Sequence, residues 1–159
     1  MDDVAIARAV HVLAVVLWMG GVAFVTTALL PSLRRSAHSP EWLASFDAIE
    51  RRFAWQARVT TLLAGASGAY MLVRLDLWDR FLSASFWWMH AMVLVWLLFT
   101  LMLFVVEPLF LAHWLRKRVQ VAPGAAFRLI ERFHRWALLI GLVTIFGAVA
   151  GSHGFLFFG

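Results

Sequence analysis

Apolar residues in this chain come as unbroken blocks separated by short charged stretches, with little periodic alternation inside a block. From Ala9 to Leu33, 25 residues pass without an Asp, Glu, Lys or Arg, and Pro31 is placed to end a helix there. About 20 such residues cross a hydrocarbon core. A second block has only 15 residues between Arg58 and Arg74, so its span runs from near Trp55 to Leu75 with both arginines reaching toward the headgroups. Phe86 to Val106 supplies 21 residues before Glu107-Pro108, and the last block runs from about Phe133 to Phe157 with nothing charged after Arg135. The pattern predicts an all-α integral membrane four-helix bundle in a single domain, 1–159, with spans at about 8–31, 55–75, 86–107 and 133–157. The first block is too long for a signal-peptide core and follows the acidic Met1-Asp2-Asp3, so a retained helix is expected.

Loop charge orients these spans. The segments 32–54 and 108–132 carry nine Lys and Arg near the span ends: Arg34, Arg35, Arg51, Arg52, Arg116, Lys117, Arg118, Arg128 and Arg132. The opposite side has three, Arg8, Arg74 and Arg80. Those two segments are therefore expected to be cytoplasmic loops, with both termini and the short 76–84 turn on the outer, periplasmic side of a bacterial inner membrane. Within 32–54, the rhythm of Trp42, Leu43, Phe46, Ile49 and Phe53 predicts a short interfacial helix capped near Ser39. Phe127, Ile130 and Phe133 are expected to extend the fourth helix into the headgroup layer.

Composition agrees and narrows the chemistry. The chain is 63% hydrophobic and 14% charged, against about 45–50% and about 25% in soluble domains. The net charge of +5 belongs to the orienting loops, which argues against nucleic acid as a partner. With no cysteine, disulfides, thiolate nucleophiles and cysteine-ligated metal centres are excluded. Gly20-Gly21, Gly65 with Gly68, and Gly147 with Gly151 permit close helix approach.

Histidine is the candidate functional residue. His11 lies near the outer start of the first span, His90 one turn into the third, and His153 near the outer end of the fourth. Successive spans reverse direction, so the three imidazoles are expected at one depth near the outer face. Polar groups in hydrocarbon need partners, and neutral imidazoles can ligate haem iron, copper or zinc. The bland alternative is interhelical hydrogen bonding, which suits His134 better; His38 and His113 are loop residues. Haem b is the favoured cofactor, with axial ligands drawn from His11, His90 and His153, and Arg8, Arg74 and Arg80 available to its propionates. Copper is the alternative, through the same histidines with Met19, Met89 and Met92. Arg58 and Glu107 sit at the inner ends of adjacent spans and are expected to form an interhelical ion pair, with proton entry or a quinone head-group contact as its functional version.

The run His11-Val-Leu-Ala-Val-Val-Leu-Trp18-Met-Gly20-Gly21 resembles the opening helix of the copper-resistance protein D family, and also that of the haem-containing membrane protoporphyrinogen oxidase group. Glu50-Arg51-Arg52-Phe53 resembles the latter group's charged entry to its second helix. The first resemblance implies copper transport or tolerance; the second implies a haem held by the residue matching His11. His90 stands where the oxidase group often has a lysine, a departure that counts against that enzyme's activity and in favour of bis-histidine ligation. The expected function is a membrane b-type haem protein carrying electrons near the outer face, with quinol or a periplasmic redox protein as partner. A copper-binding protein and a non-catalytic assembly subunit are the alternatives, with homo-oligomerisation left open.

Overall fold

A computed structural model describes residues 2–36, 38 and 41–155. Of the described residues 94% are helical, and none is in a strand. The helices are α1 (Asp2–Phe24), α2 (Leu30–Leu33), α3 (Glu41–Arg74), α4 (Trp87–Leu101), α5 (Ala112–Val121) and α6 (Pro123–Ser152). A π-helical segment, Val25–Leu29, joins α1 to α2, and a longer one, Met102–Leu111, joins α4 to α5. Both lead to or contain a proline, Pro31 and Pro108. A proline ring clashes with the carbonyl four residues earlier and lacks an N–H, and a widened turn relieves both problems without ending the helix. Pro31 therefore does not end the first helix as expected from the sequence; helix continues to Leu33, and in the same way it runs through Pro108 to Val121.

Three helices are long and apolar enough to cross a membrane: Asp2–Leu33, Ala84–Leu111 and Pro123–Ser152. The second expected span falls within α3, which is long but more polar. The reason lies in its packing. Thr60, Thr61, Ala64 and Ser67 are buried, while Leu62, Leu63 and Val73 face outward. The same inversion marks α6, where Gly141, Thr144, Gly147 and Gly151 are buried and Leu139, Ile140, Leu142, Val143 and Phe146 are exposed. Lipid tails are as apolar as leucine, so helices in a bilayer associate by close backbone approach and not by burying their largest apolar groups. α1 packs along α3 and against α6, and α4 packs on α6 and α3. Gly147 receives the Trp87 ring, with Cη2 2.6 Å from where a Cβ would stand. Trp96 Nε1 donates to the Thr61 carbonyl at 2.9 Å, tying α4 to α3.

The expected loops 32–54 and 108–132 are largely helical, because their apolar residues bury one another. Trp42, Leu43 and Phe46 of α3 form a core with Val25, Leu29 and Leu30, with Leu115 and Val119 of α5, and with Ala126, Phe127 and Ile130 of α6. The segment expected to lie flat in the headgroups is thus the first part of α3, with its apolar face turned onto protein. Trp42 stacks edge-on against Phe127 at 5.3 Å between centroids. The expected cap near Ser39, and the end of the fourth span at Phe157, lie outside the described residues. At the other end, α3 gives way at Asp76, whose φ of 48° is tolerated by a short polar side chain, to two 3-10 turns, Trp78–Leu82 and Ala84–Phe86.

Candidate functional site

Of the three histidines expected at one depth, His11 reaches a neighbouring long helix. Its Nδ1–H donates to the Ala64 carbonyl at 2.9 Å, with Ser67 Oγ at 3.2 Å. The carbonyl can only accept, so Nδ1 carries the hydrogen and Nε2 keeps its lone pair. Gly68 leaves room for the ring: a Cβ there would stand 3.3 Å from His11 Cε1.

His90 and His153 are both exposed and bonded locally. His90 Nε2–H donates to the Phe81 carbonyl at 3.0 Å, and its ring meets Phe81 edge-on. His153 Nδ1–H donates to Val149 in the turn before it, at 2.8 Å. Among the described residues, no three His, Asp or Glu side chains are grouped where they could hold one metal ion. Depth alone did not bring the three expected ligands together; which way each ring faces matters as much. The expected propionate partners differ in the same way. Arg74 is engaged by Asp3 at 2.8 Å, which also accepts from Tyr70 Oη at 2.9 Å. Arg80 lies over the Phe86 ring at 5.1 Å, and Arg8 is exposed on α1. Met19 and Met89 are buried, and Met19 packs its methyl against Gly141, as a gap-filling residue would.

A cavity of about 420 Å³ lies at the Arg58–Glu107 end of the helices, between α1, α3, the π segment after α4, α5 and α6. Its wall is mostly apolar, with Trp18 of α1 and Phe99 of α4 among its residues, and it includes Asp47, Glu50, Arg51, Glu107, Arg116 and His134. Arg58 donates through one terminal nitrogen to Glu107 at 3.0 Å and through Nε to the Leu103 carbonyl at 3.1 Å. It therefore anchors the π segment both by charge and by backbone. His134 donates through Nδ1 to Ile130 of its own helix and packs edge-on against Phe46 and Phe133.

Glu50 belongs to this site, although sequence reading assigned it only to loop charge and to the helix-entry resemblance. Burial, reinforced by the nearby Glu107 and Asp47 carboxylates, pushes its carboxyl up to about 7 against the partial opposition of Arg58 and Arg51. A signal was present. Glu50 follows Phe46 and precedes Ala54, Ala57, Thr61 and Ala64 at three- and four-residue steps, the spacing of one helix face. A carboxylate on such a stripe is a site candidate.

Compared with known protein families, with curated proteins and with solved structures, the chain matches none.

Proposed function

We propose that this chain is a four-span protein of a bacterial inner membrane, with both termini outside, that holds a b-type haem through His11 and carries electrons. The supporting observation is the orientation of one ring. Ala64 accepts the Nδ1 hydrogen of His11 at 2.9 Å, so the nitrogen left with a lone pair is Nε2. A backbone carbonyl on the distal N–H fixes the tautomer and raises the basicity of a metal-ligating imidazole, the usual arrangement around ligating histidines. The resemblance of the His11–Gly21 run to the opening helix of the haem-containing oxidase group points to the same residue.

When bound, haem would supply a one-electron ferrous/ferric couple, and the surrounding chain sets its potential through ligand and local polarity. The protein's own part is to orient His11 through Ala64 and Ser67 and to keep space at Gly68. His90 and His153 each keep the lone pair of the ring nitrogen that does not donate, Nδ1 and Nε2 respectively, so either would remain able to supply a second ligand to the iron. Copper, through the same histidine with Met19 or Met89, is disfavoured by the packing of the Met19 methyl on Gly141.

The absorption spectrum of the purified protein, paired with iron and copper analysis, tests this. Haem is expected in the wild type and in His134→Ala, and is expected to be lost in His11→Ala. A colourless wild-type protein, or an unaltered spectrum after His11→Ala, would refute the assignment.

A further inference from the structure

Two arginines from distant parts of the chain meet at one carboxylate on the surface of the bundle. Arg34 opens the 3-10 turn Arg34–Ser36 that follows α2, and Arg135 lies on α6. Both donate through a terminal guanidinium nitrogen to the same oxygen of Glu131, Arg135 at 2.8 Å. The Glu131 side chain is 14% exposed, whereas those of Arg34 and Arg135 are 56% and 60% exposed. A guanidinium carries several N–H donors, so each keeps others for a second acceptor. Arg128 and Arg132, one turn apart on α6, and Arg35, beside Arg34, are exposed as well. Five arginines of these two segments thus stand against a single carboxylate. Orienting the spans requires only that positive charge be numerous on one side. It does not require guanidiniums from two segments to be held together, as Glu131 holds them. Arginines already fixed lose less side-chain freedom when an anion binds.

The depth of the cluster, and what lies next to it, decide the anion. Ala9 to Leu33 carry no charge, so Arg34 is the first charged residue beyond that span. From Trp136 to Ser152 α6 has none either, 17 residues that rise about 25 Å. That nearly fills a hydrocarbon core of about 30 Å, so the cluster sits at its border, the level of lipid phosphates. Trp136, Leu139, Ile140 and Val143 continue the helix face of Arg132 at three- and four-residue steps, each about half exposed. A ligand here meets guanidinium at its head and apolar surface along its length. A free phosphate, an acidic peptide or a nucleic acid has nothing to lay on the apolar stripe. A zwitterionic phospholipid would set its own cation against the surplus arginines.

We propose that Arg34, Arg132 and Arg135 form a binding site for one anionic phospholipid, its phosphodiester held by the two guanidiniums that Glu131 fixes and an acyl chain lying along Trp136, Ile140 and Val143. Arginine suits this role, because its planar pairs of N–H groups match phosphate oxygens two at a time. Glu131 does not repel the ligand strongly, since two cations already share its charge. Basic clusters beside a span attract anionic lipid in this way, and an exposed tryptophan at the same level anchors the helix in the head-group layer. The site does not depend on the haem at His11.

The full-length protein in neutral detergent micelles, titrated with dioleoyl phosphatidylglycerol or dioleoyl phosphatidylcholine and read by native mass spectrometry, provides the test. One phosphatidylglycerol is expected to bind at least about 20-fold more tightly than phosphatidylcholine. Arg34→Gln with Arg135→Gln is expected to abolish that preference, at about 5-fold for each arginine removed. Arg132→Gln alone is expected to lower it about 5-fold. Arg132 makes no hydrogen bond or ion pair with a described residue, so this variant decides the matter should the double variant fail to fold. Arg116→Gln with Lys117→Gln removes the same charge from α5 and is expected to leave the preference unchanged. Equal affinity for the two lipids, an undiminished preference in Arg132→Gln, or an equal fall in the α5 variant would each overturn the proposal. So would displacement of phosphatidylglycerol by glycerol 1-phosphate at matching concentration, since the head group alone would then account for binding. Displacement by a hexaglutamate peptide would overturn it too, assigning the surface to an acidic protein segment.

Discussion

Replacing Gly65 by alanine places a methyl group against an indole that has little freedom to retreat. A Cβ at Gly65 would stand 2.5 Å from Trp96 Cε2 and 2.6 Å from Cζ2 and Nε1. Trp96 is held in that position by its hydrogen bond to the Thr61 carbonyl, 2.9 Å long, one turn earlier on the same helix as Gly65. Relief requires either that α4 move away from α3 or that the indole swing out and lose the bond. Overpacking of this kind costs about 1–3 kcal/mol, and a lost hydrogen bond about 1 kcal/mol. Alanine returns about 1 kcal/mol of helix propensity. The net expectation for Gly65→Ala is a loss of roughly 1–3 kcal/mol. Gly20 is the internal control, because nothing stands within 4 Å of its Cβ position. Gly20→Ala should therefore be neutral or stabilise by up to about 1 kcal/mol. Helical ellipticity followed through a titration of mixed micelles with sodium dodecyl sulfate measures both. In a Trp96→Leu background the cost of Gly65→Ala should fall below about 1 kcal/mol, since the rigid ring is gone. Equal stability of Gly65→Ala and the parent would mean that Trp96 does not pack α4 onto α3 at this level.

The chain has no cysteine, so single cysteines report orientation cleanly. In intact spheroplasts Leu82→Cys, 87% exposed in the outer turn, should react with a membrane-impermeant maleimide, whereas Val121→Cys, 83% exposed at the end of α5, should react only after permeabilisation; the reverse result would invert the proposed topology. Glu50 gives stability a pH dependence of defined sign. With its carboxyl at about 7 in the fold against an ordinary 4.5, the folded protein retains a proton that the unfolded chain releases across that window. Stability should therefore fall as pH rises from about 4.5 to 7, by at most about 3 kcal/mol, and level off above. Glu50→Gln should flatten that fall, and an unchanged profile in the same unfolding assay would show that Glu50 is not buried as described.

Much of this protein is a local property of its residues. Block lengths established where apolar helices lie, and helix direction put Arg58 and Glu107 at the same end of neighbouring helices, where their side chains meet at 3.0 Å. The facing of each helix was a different matter. When lipid covers the outer surface, all sides of a span are apolar, and hydrophobic periodicity no longer marks the side that packs. Small residues mark it instead, as at Thr61, Ala64 and Gly147, so that residue counting predicts depth but not direction. That is why His11 turns toward α3 while His90 and His153, expected at the same level, bond within their own segments. It is also why the inner core of Trp42, Val119 and Phe127, and the cavity that joins Trp18 to Glu50, exist only in the assembled fold: each draws on residues far apart in the chain whose proximity depends on how the helices rotate against one another.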